Sequence, residues 1–142
     1  MDWSSHWSSR LGLAYVEASN TTDDRWIAQT PPLEGNLSLD YHRTSWSLGG
    51  NLRFASEQTK VDDNINTSSG QDAGESDGWA VLDLYGDWAF SEHGKLEAGV
   101  NNVFDTTYAY HVNRANVDPF NPQAIQVNEP GRAFWLRVSA EF

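Results

Sequence analysis

The sequence predicts an all-β fold in which antiparallel, up-and-down strands form part of a transmembrane β-barrel. Three observations support this prediction: apolar and polar residues alternate in six segments, short links alternate with long ones, and aromatic residues stand at both ends of the apolar rows. A period of two places one row of side chains on each face of a strand. Barrels of the bacterial outer membrane combine short turns on one side with long loops on the other.

Each predicted strand carries its apolar side chains on one parity and polar or small residues on the other. The predicted strands are residues 10–18, 37–42, 46–55, 80–90, 96–101 and 132–142. The first follows a lead rich in Trp and Ser, for which the pattern predicts no structure. In the last strand the apolar row is Phe134, Leu136, Val138, Ala140 and Phe142.

The links between these strands differ strongly in length. Residues 42–45 and 91–94 are short turns, whereas the long links are residues 19–34, 57–78 and 104–130. The first long link is predicted to be a loop because Pro31 and Pro32 cannot donate hydrogen bonds to a sheet. A soluble up-and-down β protein more often keeps its links short on both sides. The alternation therefore favours the transmembrane barrel.

Aromatic residues of the apolar parity fall near the two ends of the strands. Those near the short turns are Tyr41, Trp46, Trp88, Phe90 and Phe142, and those near the long loops are Tyr15, Phe54 and Phe134. Two aromatic belts with Leu, Val, Ala and Gly between them are typical of a lipid-facing wall. Because a small closed barrel needs about eight strands, we expect six strands to be one wall of a larger barrel.

Composition narrows the classes of protein further. The chain has 142 residues, a net charge of −11 and no Cys. The negative charge argues against a nucleic acid partner, which requires basic patches. The absence of a run of 18 apolar residues excludes a transmembrane helix. The start at Met1 has neither a basic nor an apolar signal region, so we expect the chain to be a piece of a longer protein.

The stretch from Val100 to Tyr108 resembles the C-terminal signature of TonB-dependent outer-membrane receptors. In that family an N-x-F-D-x-x-Y stretch ends the penultimate strand, and a Gly-Arg pair begins a closing strand that ends in Phe. The matching residues here are Asn102, Phe104, Asp105, Tyr108, Gly131, Arg132 and Phe142. The Pro31-Pro32 segment and the strand Trp79–Tyr85 also match the family's spacing, so the resemblance covers nearly the whole chain.

The resemblance implies active uptake of a scarce metal or metal chelate across the Gram-negative outer membrane. Residues 1–142 would be the last six strands of a barrel of about 22 strands, with the long loops outside the cell. The implied partners are outer-membrane lipid, the plug domain and remaining barrel of the parent receptor, TonB through the parent, and the barrel-assembly machinery through the C-terminal strand. Residues 108–116 and 118–120 look most like the copper-receptor branch, so the parent is expected to bind copper or another metal chelate.

A copper site would need Cys, Met or His ligands at close spacing. The chain has no Cys, its one Met is Met1, and its His residues are scattered, so no cofactor is expected in this chain. His111 is the one His on a long outer loop and is a candidate for metal capture. The alternative interpretation, which we favour, is a solvated loop His. Copper ligands of the parent are expected in its plug and earlier loops.

Acidic residues form two further groups. The acidic loop contains Asp62, Asp63, Asp72, Glu75 and Asp77. It could gather Ca²⁺ or the cations that bridge lipopolysaccharide, but it lacks the spacing of an EF-hand loop, and a solvated loop is the favoured interpretation. The charges expected on the lumen side are Asp40, Arg53, Asp83, Asp87, Glu97, Arg137 and Glu141. We expect them to form cross-strand pairs that line the wall.

Two other classes of protein are alternatives to the transporter. The first is a soluble, secreted β-sandwich that binds a ligand with its long loops; it requires Leu84, Val100 and Leu136 to be buried against an opposing layer. The second is an enzyme, which is not expected because no Ser lies in a G-x-S-x-G context and no apolar cleft is indicated for a carboxylate pair. No catalytic residue is therefore predicted.

Overall fold

A computed structural model describes residues 1–64, 71–113 and 125–141 of the chain. The described part is all-β and contains eight strands. They are β1 (Trp7–Ala14), β2 (Ser19–Asn20), β3 (Arg25–Trp26), β4 (Glu34–His42), β5 (Trp46–Ala55), β6 (Trp79–Ser91), β7 (Gly94–Asn101) and β8 (Ala133–Ala140). Six of them form one antiparallel sheet in the order β1-β4-β5-β6-β7-β8, and β2 pairs only with β3. The predicted up-and-down arrangement of six strands is confirmed.

The register of the sheet aligns the apolar parity of all six strands. Leu37 of β4 pairs with Leu11 of β1 on one side and with Leu52 of β5 on the other. Leu84 of β6 pairs in the same way with Gly50 and Val100. Because pleating sends alternate side chains to opposite faces, the sheet has one continuous apolar face and one polar face.

The apolar face is open rather than buried against a second layer. Leu84 is 44% exposed and Leu136 is 68% exposed, and most of the large hydrophobic residues of this face are comparably open. In the described part of the chain, the most completely buried hydrophobic residue is Val81, which lies on the polar face and is 1% exposed. This arrangement does not favour the soluble sandwich, which needs an apolar core between two sheets.

Aromatic rings cluster at the short-turn end of the apolar face. The ring of Tyr41 lies 4.8 Å from that of Trp7 and 5.4 Å from that of Trp46. Farther along the same edge, the rings of Trp88 and Phe90 lie 6.0 Å apart. The predicted belt at this edge is therefore present and includes Trp7, which the sequence pattern did not assign to a strand.

Several predicted boundaries are wrong. The last three residues of the lead rich in Trp and Ser, residues 7–9, belong to β1, which ends at Ala14 rather than at residue 18. The predicted loop 19–34 contains the small β2–β3 pair, and β4 already begins at Glu34. In contrast, β5 occupies the predicted residues, and its turn from β4 is closed by a 2.8 Å hydrogen bond from Arg43 N to Trp46 O. Phe142 lies outside the described residues.

Within the described ranges both edges of the sheet are largely open, although residues 1–3 turn back and form backbone hydrogen bonds with Trp7 and Ser9 at the outer edge of β1. β1 and β8 each have one neighbouring strand, so the sheet is a wall and not a closed barrel. Edge strands present unpaired N–H and C=O groups that favour pairing with further strands. Across residues 1–64, 71–113 and 125–141, no helix has the length and apolar character to cross a membrane.

Candidate functional site

The polar face carries cross-strand pairs of the kind predicted from the sequence. Arg53 Nε lies 3.0 Å from Asp83 Oδ2, and the hydroxyl of Tyr85 donates a 2.7 Å hydrogen bond to Asp40 Oδ1. These groups are half-buried beside one another on β4, β5 and β6. Paired in this way, charged side chains are accommodated on a sheet face at little cost.

A second group of charges lies nearer the short turns. Lys95 Nζ is 3.3 Å from Asp87 Oδ1 and 3.1 Å from Glu97 Oε1. Arg137 Nε on β8 lies 3.7 Å from Glu97 Oε2. Asp87, Glu97 and Arg137, three of the predicted lining charges, are therefore joined into one network, with Lys95 as a member that the sequence prediction did not include.

The polar face also contains a cavity of about 360 Å³ near the long-loop end. Its polar lining includes Glu34, Asn36, Arg53, Trp79 and Tyr110. The guanidinium of Arg53 is already engaged by Asp83 and donates a 3.3 Å hydrogen bond to the Tyr110 hydroxyl. We call this space the polar-face cavity.

Three aromatic rings form one wall beside the polar-face cavity. The ring of Trp79 lies 4.6 Å from that of Tyr108 and 4.9 Å from that of Tyr110, the second pair meeting edge to face. The Arg53 guanidinium lies 5.8 Å above the Tyr108 ring. Burial raises the pKa of the Tyr108 hydroxyl, while Arg53 opposes that rise. This wall joins the start of β6 to the loop after β7.

His111 does not occupy the solvated position that we favoured for it. Its Nδ1 lies 3.0 Å from Ser76 Oγ, and its Nε2 lies 3.2 Å from Asp72 Oδ1. The second contact has an ion-pair distance without the alignment of a hydrogen bond. Both ring nitrogens thus face protein groups, and among the described residues no cluster of three His, Asp or Glu side chains could hold a metal ion.

The acidic loop is solvated only in part. Asp63, Glu75 and Asp77 are exposed as expected, but Asp62 and Asp72 are buried. The Asp72 carboxylate accepts backbone hydrogen bonds from Gln29 at 2.6 Å and Asp62 at 2.8 Å. The interpretation of the whole segment as a solvated loop was wrong because the backbone folds over Asp72.

The N-x-F-D part of the signature forms a turn held by the side chain of Asn102. Its amide nitrogen donates to Thr106 O, and its Oδ1 accepts from Thr106 N, both at 2.8 Å. Its backbone N–H donates to Asp83 Oδ1 at 2.8 Å. Asn102 and Asp105 have φ of 53° and 57°, in the left-handed region that Asn and Asp tolerate better than most residues. The backbone of the turn therefore favours Asn and Asp at these two positions.

The rest of the signature connects this turn to β8. Asp105 Oδ1 accepts a 2.7 Å hydrogen bond from Arg132 N, and Arg132 Nη1 donates to Val103 O at 3.3 Å. Tyr108 is buried in the aromatic wall, whereas Phe104 is 74% exposed. The structure thus brings the described signature residues to one end of β7 and β8, and Phe142 lies outside the described residues.

The contacts around Asp72 and His111 were the functional feature that sequence reasoning missed. The two residues are far apart in sequence and belong to different loops, so no periodic pattern relates them. The one available signal was the presence of chemically complementary side chains in two long loops. The presence of such side chains does not show which of them contact each other, so the contact between Asp72 and His111 could not be predicted.

The sequence of the chain matches a protein-family model. The model of the β-barrel of TonB-dependent receptor-like proteins covers residues 1–103. The chain belongs to the TonB-dependent receptor family. Members of this family are outer-membrane proteins of Gram-negative bacteria, and they are receptors and transporters. The recognition made from the signature residues is confirmed, as is the antiparallel all-β fold class.

Solved structures of TonB-dependent receptors superimpose closely on the chain. The copper transporter OprC is 34% identical, with 99% of this chain and 22% of that one covered and a TM-score of 0.86. The ferric enterobactin receptor PfeA of Pseudomonas aeruginosa is 23% identical, with 100% and 21% covered and a TM-score of 0.75. The ferric citrate transporter FecA is 21% identical, with 96% and 21% covered and a TM-score of 0.71. The last two likenesses show the fold alone.

The chain spans about a fifth of the length of the solved receptors that it matches. No curated protein sequence matches it.

Proposed function

We propose that residues 1–142 form the C-terminal wall of an outer-membrane receptor that imports a metal ion or metal chelate, with copper as the favoured substrate. The observation that carries the substrate class is the 34% identity to the copper transporter OprC over 99% of this chain. Identity to the ferric siderophore receptor PfeA is lower, at 23%. The resemblance of the segment after Tyr108 to copper receptors supports the same choice.

In this proposal the apolar face meets lipid hydrocarbon. The support is the combination of open aliphatic side chains in the middle of the strands with an aromatic cluster at the short-turn edge. An exposed apolar surface of this extent would favour aggregation in water, whereas a lipid environment stabilises it. The polar face then lines the lumen, where the parent's plug domain contacts the paired charges.

The orientation of the wall follows from its links. We place the short turns after β4 and β6 in the periplasm and the long loops outside the cell, as in other outer-membrane barrels. β1 continues into earlier strands of the parent, and β8 closes the barrel and is presented to the barrel-assembly machinery. TonB reaches the receptor through the parent's N-terminal region.

Copper is the cargo of the proposed receptor, and its ligands are expected mainly outside this chain. The chain has no Cys and a single Met. Within the described part, His6, His42 and His111 do not converge on one site that could hold a metal ion. This segment therefore contributes the wall, the lumen surface and the outer loops, and the parent's plug and earlier loops supply soft ligands.

Metal uptake by the full-length receptor tests the substrate. A strain that lacks the receptor should accumulate several-fold less copper from copper-limited medium than its parent strain, as measured by elemental mass spectrometry of washed cells. Plasmid-borne receptor should restore accumulation, and a copy without its TonB-binding segment is the matched control that should not. Unchanged copper with lost growth on a ferric chelate would instead assign the receptor to siderophore uptake.

Membrane placement can be tested separately from substrate. The full-length receptor should fractionate with the outer membrane and migrate faster on a detergent gel before boiling than after it, as folded barrels do. A soluble monomer in the absence of detergent would contradict the proposed location of the apolar face.

A further inference from the structure

Asp72, Ser76 and His111 form a small buried cluster that joins the loop after β5 to the loop after β7, and we call these three residues the loop clasp. The side chains of Asp72 and His111 are 1% and 2% exposed. The imidazole lies between the other two residues, with 3.0 Å from Nδ1 to Ser76 Oγ and 3.2 Å from Nε2 to Asp72 Oδ1. One His therefore connects the two loops.

Asp72 connects the clasp to a third segment. Its carboxylate accepts hydrogen bonds from the backbone of Gln29, before β4, and from that of Asp62, in the same loop as Asp72 itself. A buried carboxylate is costly unless its oxygens have partners. The partners of Asp72 come from the segment before β4, the loop after β5 and the loop after β7. Separation of these segments would leave the Asp72 carboxylate without partners, so its burial favours the assembled arrangement of the loops.

Each loop is also folded upon itself where it meets the clasp. In the loop after β5, Gln58 and Ser76 exchange backbone hydrogen bonds of 2.9 and 3.1 Å. In the loop after β7, Glu129 N donates to Tyr108 O at 2.8 Å, and Asn113 Nδ2 donates to Glu129 Oε1 at 2.5 Å. The described parts of these loops are thus two compact units, and the clasp lies between them.

Other charged groups lie close to the clasp. Asp62 Oδ2 is buried, has no hydrogen-bond partner and lies 3.9 Å from Arg25 Nη1 of β3. Because the Asp62 backbone N–H donates to Asp72, Arg25 brings a positive charge from β3 to the Asp72 side of the clasp.

The order Ser76, His111, Asp72 is also that of a hydrolase triad, but the geometry does not suit catalysis. All three residues are at least nine-tenths buried, so a substrate has little access to the Ser76 hydroxyl. His111 Nε2 is not aligned to share a hydrogen bond with Asp72, although a triad requires the acid to orient the imidazole through such a bond. A structural role accounts for the burial directly.

The clasp is next to the polar-face cavity. Tyr110 precedes His111, contacts Trp79 edge to face, and accepts a hydrogen bond from Arg53. Tyr110, Trp79 and Arg53 all line the cavity. Moving the His111 segment would therefore move Tyr110 and change the outer wall of the cavity.

We propose that the loop clasp is a latch that holds the two outer loops together and keeps Tyr110 over the polar-face cavity, so that releasing His111 opens the cavity from the loop side. That these loops lie outside the cell rests on the proposed function, which places the short turns in the periplasm. The latch itself is a property of the loop contacts and does not depend on which metal is carried.

Hydrogen exchange on the full-length receptor in detergent tests the latch. His111→Phe keeps a ring but removes both nitrogens, and Ser76→Ala removes the Nδ1 partner. Both should raise exchange about tenfold or more in peptides from residues 56–64, 71–78 and 102–113, because a buried polar contact is lost and the loops open locally. His111→Gln retains an N–H donor and should retain part of the protection.

Glu75→Gln is the matched control, because Glu75 is an exposed acid of the same loop and the change should leave exchange as in the wild type. Asp72 is not substituted, since its carboxylate also holds two backbone groups. Wild-type exchange in both His111→Phe and Ser76→Ala would refute the latch. An equal rise throughout β5 and β6 would refute it as well, because it would show global destabilisation. Metal uptake is not part of the readout, so an error in the substrate cannot produce either result.

Discussion

Asp105 and Arg132 lie 27 positions apart, yet a 2.7 Å hydrogen bond joins Asp105 Oδ1 to Arg132 N. Asp105 belongs to the turn that ends β7, and Arg132 immediately precedes β8. The same turn is closed from within by Asn102. The signature residues thus fix where the last strand begins relative to its neighbour.

Loss of the Asn102 side chain should destabilise this turn. Asn102→Ala removes two buried hydrogen bonds to Thr106 and places Ala at a φ of 53°, so we expect a loss of about 1–3 kcal/mol in the free energy of unfolding. Asn102→Gly should cost less, because Gly adopts positive φ without strain. Urea unfolding of the receptor in detergent, followed by gel mobility, measures both. Thr107→Ala, at an exposed residue of the same segment, is the control; equal effects at the two positions would contradict the assigned role.

Substitution of Gly131 tests the close approach between turn and strand. A Cβ at this position would lie 2.7 Å from Asp105 Oδ1, closer than such atoms normally approach. Gly131→Ala should therefore displace the Asp105 carboxylate and weaken its bond to Arg132, with a destabilisation of about 0.5–1.5 kcal/mol, the contribution of one hydrogen bond. In combination with Asp105→Ala the effect should be much smaller, because the clashing oxygen is gone. Full additivity of the two changes in the same unfolding assay would exclude the clash as the cause.

The two faces of β4 should respond differently to the same charge. Leu37 is on the apolar face and its neighbour Ser38 is on the polar face, near the middle of the strand. Leu37→Arg should cost about 2–4 kcal/mol and reduce the amount of folded receptor in the outer membrane, since Arg would face hydrocarbon. Ser38→Arg is the matched control: it loses the hydrogen bond to Asn51 and faces Arg10 across the sheet, but its guanidinium stays in the aqueous lumen, so it should cost less than Leu37→Arg. Equal yields of folded receptor for the two variants would count against lipid contact at this face.

The ion pair between Glu17 and Lys60 should be lost at acidic pH. Lys60 Nζ donates to Glu17 Oε2 at 2.6 Å, and this bond first, then the one from Tyr15, lowers the pKa of the Glu17 carboxyl. Because the folded pKa is lowered, the interaction stabilises the loops above the ordinary carboxyl pKa and is lost as the pH falls through the lowered value. The contribution to stability is small because both groups are exposed.

Lys60→Gln should therefore raise the pKa of Glu17 toward the ordinary value of 4.5. The ¹³C carboxyl shifts of labelled glutamate, followed during an acid titration and compared with Glu17→Gln for assignment, measure the change. Lys95→Gln removes a cation that contacts other acids and should leave Glu17 unaffected. An unchanged Glu17 titration in Lys60→Gln would show that the ion pair does not form in solution.

Local alternation was sufficient to predict the sheet. Within each strand, the period of two in the sequence shows which side chains share a face. β5 shows this best, since its apolar and polar rows are uninterrupted and its predicted bounds agree with the structure. The start of β1 was missed because Ser9 occupies the apolar parity opposite Leu39. The β2–β3 pair was missed because two residues per strand are too few to show a period.

The loop contacts could not be predicted in the same way. His111 and Asp72 have the composition expected of solvated loop residues, and their burial depends on how two long loops fold against each other. Signature residues were identified by resemblance, but their physical role required coordinates. Nothing in the residue types alone shows that Asp105 accepts a hydrogen bond from Arg132.

The strict division of the sheet into two unlike faces limits the insertions and deletions that its strands can accept. Removing one residue from the middle of β4 would turn every later side chain of that strand to the opposite face, so that Asp40 would change places with Leu39. Removing two would keep each remaining side chain on its original face and merely shorten the strand. Insertions and deletions within the strands should therefore comprise two residues at a time. Insertions and deletions of a single residue should be confined to the connecting segments.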